Sequence, residues 1–329
     1  MKFLIAGLGS IGRRHLSNLI ALGERNIILY RTHTGTLPDE DLAEFPIETN
    51  FEAALNREPD AVIISNPTSL HLDVAIPAAQ AGCHIFLEKP ISHSMNRVDE
   101  FISALKDGGG KVLVGYQFRF HPGLRMVKEL LDDGAIGRPT SVRAHWAEYL
   151  PGWHPWEDYR LGYSARNDLG GGVILTLSHP LDYMLWLIGE VQEVWAFAGT
   201  LGELGLEVED TAEISMRFSQ GVIGSIHLDY LQQPPNHFLE IIGTDGTIQW
   251  DYAGGGVRVY RGKQMNWKNY SISNDFQRND MFLSEMRHFI DLIHGKEESM
   301  CTLSDGVRAL ELALAAKRAA DKKEMVRMR

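Results

Sequence analysis

A glycine-rich turn follows directly on the first apolar segment of the chain. The sequence Gly7-Leu8-Gly9-Ser10-Ile11-Gly12 comes immediately after the apolar run Phe3–Ala6. So short an apolar run is typical of a strand buried on both faces. Apolar residues then recur at helical spacing from Leu16 to Ile20, and Gly23 ends the pattern. The opening of the chain therefore predicts a strand, a tight turn and a helix.

The spacing of these glycines fits a dinucleotide-binding loop. Gly7 permits the tight turn, Gly9 lets the backbone approach a pyrophosphate, and Gly12 lets the helix pack closely on the strand. The helix N-terminus stabilises the anion. The loop therefore predicts cofactor contacts by Gly7, Gly9, Ser10, Ile11 and Gly12. A plain glycine turn, or a site for a flavin or another adenine nucleotide, remains an alternative.

Strands and helices continue to alternate over the first third of the chain. Further apolar runs predict strands at 27–30, 61–64, 84–87 and 111–114, with helices around 75–82 and 98–105 between them. Alternation of this kind needs crossover connections, and hence a parallel sheet with helices on both faces. We therefore predict an N-terminal Rossmann domain, a doubly wound parallel sheet, over residues 1–120.

The pattern changes after about residue 120. Long alternating segments at 141–149, 193–200, 211–218, 222–230 and 237–242 are separated by turn signals, which is typical of antiparallel strands. Helices are expected near 124–131, 173–187, 281–293 and 304–320. The C-terminal domain, 121–329, is therefore predicted to be α+β with an open, mostly antiparallel sheet for substrate binding and oligomerisation. The apolar face of such a sheet must be covered by helices or by another subunit.

Composition narrows the class of partner. The chain has 329 residues, which suggests two domains at about 100–200 residues each. Its 32 basic and 43 acidic residues give a net charge of −11, which argues against nucleic acid and anionic membranes as partners. Two distant cysteines provide neither a disulfide framework nor zinc-ligand spacing, so a reducing cytoplasm is expected. No apolar run approaches the roughly 20 residues of a membrane-spanning helix.

The end of the second predicted strand bears on the choice of cofactor. An acidic residue there accepts the 2′-hydroxyl of NAD, whereas an arginine accommodates the 2′-phosphate of NADP. The sequence is Tyr30-Arg31-Thr32-His33, without a carboxylate. Arg31 can stack on adenine and hold the phosphate, and Thr32 can donate a hydrogen bond to it. The sequence therefore favours NADP(H), with NAD(H) as the alternative, unless Arg31 is simply a solvent-exposed residue at the end of the strand.

A series of motifs then extends over nearly the whole chain. In order they are Gly7–Gly12, Ser65-Asn66-Pro67-Thr68 with His71, Glu88-Lys89-Pro90, Gly115-Tyr116-Gln117-Phe118-Arg119-Phe120, and Gly170-Gly171-Gly172 with His179 and Asp182. This series resembles the glucose–fructose oxidoreductase / inositol dehydrogenase / rhizopine-catabolism (Gfo/Idh/MocA) family. The resemblance implies NAD(P) binding and redox chemistry on a carbohydrate: a sugar, sugar acid, nucleotide sugar or cyclic polyol. It also implies homodimers or homotetramers built through the open sheet.

The resemblance also implies roles for individual residues. Lys89 resembles the substrate-positioning lysine of the family and His179 its catalytic histidine, and both would flank the nicotinamide ring in one cleft. Arg119 resembles the arginine that enters the substrate cleft, near Tyr116. The residues expected on the cofactor side are Ser65, Asn66, Pro67, His71, Glu88 and Lys89.

The histidine segment departs from the family pattern. Many members carry an aspartate one turn before the histidine, where this chain has Leu175 and Thr176. Pro180 follows His179 directly and is expected to kink the helix. Asp182 matches the family and either orients the imidazole or is structural. The proton relay is therefore expected to rest on Lys89 and His179, with help from tyrosines at positions 116, 159 and 163. Thr176 and Asp182 are expected to contact the substrate.

An aromatic loop at 149–160 is a second candidate for contacting the substrate. Aromatic faces stack on sugar C–H surfaces, and an arginine can grip a carboxylate or phosphate. The candidates are Trp156, Tyr159 and Arg160, with Arg166 nearby. The alternative is an aromatic patch that is buried or lies at a subunit contact.

Two other functions remain open at this point. Some family relatives are NAD-dependent glycoside hydrolases, which oxidise a hydroxyl transiently and show no net redox change. A noncatalytic NAD(P)-binding sensor would keep the cofactor site and lose the chemistry, as Thr176 and Pro180 would allow.

Overall fold

The computed structural model describes residues 1–32, 37, 42–254 and 256–328. They form two compact units. The N-terminal unit comprises 1–117, 168–170 and 278–310, and the C-terminal unit comprises 118–167, 171–277 and 311–329. Residues 168–170 and 278–310 thus belong to the first unit although they come after residue 120 in the chain.

The N-terminal unit is built on one parallel sheet. Its strands are β1 (Phe3–Ala6), β2 (Ile27–Tyr30), β3 (Ile47–Glu48), β4 (Ala61–Ile64), β5 (His84–Glu88) and β6 (Val112–Gly115). Over the described residues the order is β3-β2-β1-β4-β5-β6, and every neighbouring pair is parallel. The order reverses between β1 and β4, which is where open α/β sheets bind ligands at the carboxyl ends of their strands. The predicted Rossmann sheet is confirmed.

Helices cover this sheet on both faces. They are α1 (Ser10–Ala21), α2 (Phe51–Leu55), α3 (His71–Gln80), α4 (Val98–Gly108), α8 (Arg278–Ile293) and the start of α9 (Leu303–Lys322). The strand residues of β1 and β4 are fully buried. Helix α8 returns to this unit because its aromatic residues complete the core: Phe282 contacts the ring of His15, and Phe289 contacts Phe86.

The C-terminal unit contains the second sheet. Its strands are β7 (Pro139–Ala147), β8 (Val191–Gly199), β9 (Thr211–Phe218), β10 (Ile223–Asp229), β11 (Asn236–Gly243), β12 (Gly246–Asp251), β13 (Gly256–Arg261), β14 (Asn266–Ser271) and β15 (Val326–Arg327). Within the described ranges the order is β14-β13-β12-β11-β7-β10-β9-β8-β15. Only the β7–β10 pair is parallel there, so the predicted open, mostly antiparallel sheet is confirmed.

One face of this sheet is packed and the other is open. The helices of the unit are α5 (Pro122–Asp132), α6 (Val173–Thr176) and α7 (His179–Ile188), and α5 and α7 pack against the sheet. We call the opposite side the open face. It exposes Phe197 (69%), Ile223 (56%), Ile242 (42%) and Trp195 (38%).

The prediction of a single helix over residues 173–187 is wrong. The chain forms α6 and α7 with a break at 177–178, and Pro180 lies in the first turn of α7. Proline is tolerated there because the N–H that it lacks would have no partner within the helix. Pro180 therefore starts a new helix instead of kinking a continuous one.

Short 3-10 helices complete the structure at Thr68–Leu70, Gln117–Phe120, Leu150–Gly152, Tyr159–Leu161, Tyr163–Ala165 and Asn167–Leu169. None of the helices in the described part of the chain is long and apolar enough to cross a bilayer.

Candidate active site

The glycine loop packs as tightly as its spacing suggested. Gly7 has φ +96°, and a Cβ on it would lie 2.4 Å from the Asn66 backbone nitrogen. A Cβ on Gly12 would lie 1.9 Å from the carbonyl oxygen of Gly7. The hydroxyl of Ser65 donates to that same oxygen at 2.9 Å. Glycine is therefore required at positions 7 and 12 for β1, α1 and the loop after β4 to come together.

Gly9 differs from Gly7 and Gly12 in the space around it. Among the described residues, a Cβ on Gly9 would meet nothing within 4 Å, and Gly9 is the N-cap of α1. No described side chain caps this helix, and its first turn holds no acidic residue. The first backbone N–H groups of α1 therefore face open space. This arrangement fits a dinucleotide pyrophosphate held by Gly9, Ser10 and Ile11.

We expect Gly9→Ala to weaken dinucleotide binding with the fold intact, and Gly12→Ala to lose both dinucleotide binding and stability. The added methyl at position 12 overlaps backbone, which cannot yield without moving α1 away from β1. The methyl at position 9 intrudes only on the space for the ligand. Fluorescence titration with NADH and NADPH measures binding, and thermal unfolding followed by circular dichroism measures stability. Unchanged affinity in Gly9→Ala, or unchanged stability in Gly12→Ala, would contradict this account of the loop.

Arg31 lies against the glycine loop. It is only 7% exposed, so the alternative of a solvent-exposed residue at the end of the strand is wrong. Its guanidinium donates to the carbonyl oxygens of Leu8, at 3.5 Å, and Leu37. Thr32 is exposed beside it, and His33 lies outside the described residues. The positive charge is therefore held at the end of β2, next to the turn that would carry the dinucleotide.

His71 joins the two loops that follow β4 and β5. Its Nδ1 is 2.9 Å from the Pro90 carbonyl oxygen, and its Nε2 is 3.0 Å from that of Asn66. Burial lowers the pKa of His71 from 6.5 to about 4, so the ring is neutral at pH 7 and donates one hydrogen bond at a time. His71 therefore positions the neighbours of Pro67 and Lys89, and its own side chain is 1% exposed.

His71 makes stability depend on pH. Its folded pKa lies below its unfolded one, so the unfolded chain binds the extra proton and stability falls as the pH drops from 6.5 towards 4. Between pH 7 and pH 5 we expect His71 to contribute a loss of about 2 kcal/mol in the free energy of unfolding. Urea unfolding at both pH values measures it, and His71→Gln should flatten the dependence. An identical pH dependence in the variant would refute this assignment.

Glu88 and Lys89 end β5 in different environments. The Glu88 carboxylate is buried, accepts from His15 Nε2 at 2.7 Å, and accepts from the Lys89 backbone N–H at 3.2 Å. It therefore anchors the end of β5 to α1. Lys89 is half-buried and lies at the carboxyl edge of the parallel sheet, the same edge as the glycine loop. Tyr116, just after β6 on this edge, is fully buried.

His179 begins α7 in an aromatic environment. It is 1% exposed, and its ring centroid lies 4.9 Å from that of Phe118 and 5.2 Å from that of Trp146. Aromatic walls fix the imidazole and exclude water from its faces. These contacts place His179 within the C-terminal unit as a rigid, buried imidazole.

Asp182 pairs with Arg119. The Arg119 Nη2 donates to Asp182 Oδ1 at 2.7 Å, and Nε donates to both carboxylate oxygens at 3.1 and 3.2 Å. Both side chains are at most 4% exposed. The carboxylate thus balances a buried guanidinium and ties the turn after β6 to α7. This forked arrangement is the geometry that arginine and a carboxylate favour.

Thr176 occupies the place near which the family aspartate would lie. It lies beside the phenol of Tyr230, and burial raises the pKa of Tyr230 well above its usual value. The hydroxyl of Tyr230 also approaches the Ser164 carbonyl oxygen at 3.4 Å. Two hydroxyls therefore stand near the position where the family resemblance predicts a carboxylate.

Contacts with other residues of the chain hold part of the aromatic loop in place. Tyr159 donates its hydroxyl to the Leu204 carbonyl oxygen at 2.9 Å. Arg160 is exposed and pairs with Asp158 at 2.8 Å. Trp156 is 63% exposed, whereas Trp153 lies edge-on to Tyr230. Within this loop, Trp156 is the large aromatic surface left open to a ligand.

Sequence reasoning missed three residues that support these groups. His15 holds Glu88 by a hydrogen bond, Tyr230 lies beside Thr176, and Trp186 lies 5.8 Å from the Arg119 guanidinium. His15 sits on the buried side of α1, three residues after Gly12, which was the only signal available. The other two are too distant along the chain for spacing to reveal them.

The parallel sheet, the glycine loop and the open space at Gly9 together define a dinucleotide-binding enzyme fold. Comparison with known families supports this class directly. Residues 1–116 match a family model described as "Oxidoreductase family, NAD-binding Rossmann fold", and residues 124–249 match the "GFO/IDH/MocA C-terminal domain". The chain therefore belongs to the Gfo/Idh/MocA family and is an oxidoreductase of the kind that acts on CH–OH groups.

Individual relatives resemble the chain over most of its length. The myo-inositol 2-dehydrogenase of Thermotoga maritima is 28% identical, covering 100% of this chain and 98% of that protein. The 2,7-anhydro-N-acetylneuraminate hydratase of Mediterraneibacter gnavus is 26% identical, covering 84% of this chain and 81% of that protein. The structure of a levoglucosan dehydrogenase in complex with NADH has the same fold, with a TM-score of 0.89 and 20% sequence identity. The match covers 100% of this chain and 99% of that one.

Proposed function

We propose that this chain transfers a hydride between a nicotinamide dinucleotide and a carbohydrate hydroxyl or carbonyl. The substrate class is a sugar, sugar acid, nucleotide sugar or cyclic polyol. The observation that carries the proposal is the half-buried Lys89 at the carboxyl end of β5, on the sheet edge where Gly9 leaves space for a dinucleotide. Relatives named for myo-inositol and levoglucosan support a ring that bears several hydroxyls.

The residues of the N-terminal unit fit a dinucleotide. Gly7, Gly9, Ser10, Ile11 and Gly12 would hold the pyrophosphate by backbone contacts. The segment Ser65–Pro67, the ring of His71 behind it, and Glu88-Lys89 would bound the nicotinamide side. When bound, the nicotinamide ring supplies the hydride acceptor or donor.

Lys89 and His179 would carry the chemistry on the substrate oxygen. The Lys89 ammonium binds that oxygen and stabilises the negative charge that develops when it loses its proton. His179 takes up the proton on oxidation and returns it on reduction. The Arg119–Asp182 pair positions the start of α7, and hence the imidazole. Thr176 adds a neutral hydroxyl near that position.

The remaining candidates would contact the rest of the substrate. Trp156 offers an exposed aromatic face for stacking on sugar C–H groups. Tyr159 and Arg160 border it, and the buried Tyr116 would bound the site after β6.

We infer a preference for NADP(H) over NAD(H). The support is the Arg31 guanidinium, which lies beside the glycine loop at the end of β2, in a sequence without a carboxylate at that point. A guanidinium matches the 2′-phosphate of NADP in charge and geometry. NAD(H) remains the alternative, and a structural neighbour is described with NADH.

Assembly and location extend this proposal. The apolar side chains on the open face suit a homodimer or homotetramer formed through the C-terminal sheet. Cys83 and Cys301 are free and buried, which suits a reducing cytoplasm.

A redox-neutral reaction is the second candidate. A relative of this chain is named a hydratase, a term that describes addition of water and no net oxidation. In such an enzyme the same proton and hydride steps would run forwards and then backwards in each turnover, as also in a glycoside hydrolase that uses NAD.

A substrate panel tests these proposals. Sugars, uronates, nucleotide sugars and inositols are each incubated with NAD⁺ and NADP⁺, and the absorbance of the reduced nicotinamide is followed alongside product analysis. We expect reduction with one substrate class, and a higher kcat/KM with NADP⁺. Product without net reduction would favour the redox-neutral candidate. Bound dinucleotide with no product from any substrate would support a sensor and overturn the proposal.

A further inference from the structure

A second cluster of ligand-type side chains lies on the open face of the C-terminal sheet, formed by His145, His227 and Asp229. His145 on β7 and His227 on β10 are directly paired across neighbouring strands, and Asp229 follows two residues after His227. One ring nitrogen of each histidine and one carboxylate oxygen of Asp229 lie within 4.8 Å of one another. None of the three takes part in the chemistry proposed above.

The structure assigns to these three side chains a binding site for a divalent transition-metal ion of the Zn²⁺ type. Two imidazoles and one carboxylate form a donor set that suits Zn²⁺, Co²⁺ or Ni²⁺, whereas Mg²⁺ and Ca²⁺ prefer oxygen ligands alone. Three protein ligands leave one tetrahedral position for water or a small ligand. This inference does not depend on the proposed redox function.

The surroundings orient the ligands as metal sites require. Glu213 Oε1 lies 2.6 Å from His227 Nδ1 and Asp229 Oδ2 lies 2.7 Å from Nε2, so both ring nitrogens of His227 donate to carboxylates. A bound metal ion would replace the proton on Nε2, and Glu213 would keep the proton on Nδ1. Such a carboxylate–histidine pair is the usual outer support of a metal-bound imidazole. Asp229 Oδ1 accepts from the N–H groups of Leu231 and Gln232, both at 2.7 Å. Its Oδ2 remains directed at His227 Nε2, at 2.7 Å.

His145 is held in place from two sides. Its ring stacks on that of His227, with centroids 4.6 Å apart, and on that of Phe238, at 5.3 Å. Its Nε2 donates to Gln232 Oε1 at 2.8 Å. Metal–ligand bonds of about 2.0–2.2 Å put tetrahedral donors about 3.3 Å apart. His227 Nε2 and Asp229 Oδ2, at 2.7 Å, would therefore move slightly apart, and the other donor pairs would converge by about 1.5 Å at most. Because an ion lies in the plane of each imidazole that binds it, the His145 ring has to rotate out of its stack on His227 when the ion binds.

Metal titration of the tag-free full-length protein tests the inference. After treatment with EDTA and dialysis, calorimetry with ZnCl₂ should show one saturable equivalent per chain, and MgCl₂ should show none. Co²⁺ should give the intense visible absorption of a tetrahedral site. The variants His145→Gln, His227→Gln and Asp229→Asn should each weaken Zn²⁺ binding by about 100-fold or more, since they remove a direct ligand. Glu213→Gln should weaken it by about 10–100-fold.

His294→Gln is the matched control, because His294 is an exposed histidine outside the cluster, and it should bind Zn²⁺ as the parent does. Circular dichroism confirms that each variant is folded. Asp229→Asn keeps the acceptor for the two backbone N–H groups, so it tests the ligand without loosening the strand end. Absence of a stoichiometric site, or unchanged affinity in the His145→Gln/His227→Gln double variant, would overturn the inference. The cluster would then be a hydrogen-bonded ladder only.

Discussion

Replacing Lys89 by methionine should lower kcat about 10²–10³-fold while the protein still binds its dinucleotide. Methionine keeps the apolar stem at this half-buried position and removes the positive charge. A group that stabilises developing negative charge on a substrate oxygen is worth about that factor. Steady-state kinetics on the substrate found in the panel measures kcat, and fluorescence titration measures dinucleotide affinity.

The matched control for this variant is Lys106→Met, at an exposed lysine on α4 of the same unit. It should leave both quantities unchanged. If Lys89→Met kept its kcat, Lys89 would be a solvated residue at the end of β5 and the proposed chemistry would lose its main support. A fall in dinucleotide affinity of the same size as the fall in kcat would instead make Lys89 a cofactor ligand.

His179→Gln should lower kcat by about 10²–10⁴-fold, which is the rate enhancement that a positioned general acid–base group supplies. Glutamine keeps hydrogen-bonding capacity next to Phe118 and Trp146 but cannot exchange a proton at neutral pH. The pH–rate profile should also lose the limb that the imidazole provides. Kinetics across pH, together with dinucleotide titration, checks both parts of the prediction.

Arg119→Lys separates proton transfer from positioning. It keeps the charge beside Asp182 but loses the forked contact, so it should lower kcat less than His179→Gln and leave the shape of the pH–rate profile intact. If His179→Gln retained both kcat and profile, the imidazole would be a packing residue of the C-terminal core. A redox-neutral enzyme should lose product formation in the same variants, because it needs the same proton steps.

The sequence alone determined the features whose geometry is local. The order of Phe3–Ala6 and the three glycines sets a strand, a turn and a helix within about twenty residues, and close packing admits only glycine at positions 7 and 12. Continuous apolar runs placed five strands of the first sheet, and alternating segments placed five of the second, within two residues of their observed ends, whereas β3 and β12–β15 were not predicted. Family membership followed from motifs that are each contiguous in the chain.

Only the tertiary structure decided the pairings between distant residues. Arg119 meets Asp182 across 63 positions and His15 meets Glu88 across 73, and no spacing rule connects such pairs. The parallel pairing of β7 with β10 brings His145 beside His227. The tertiary structure also decided that α8 returns to the first unit and that the chain breaks between α6 and α7. The physical reason is that a side chain's partner depends on which elements become neighbours, and burial in the whole fold makes that choice.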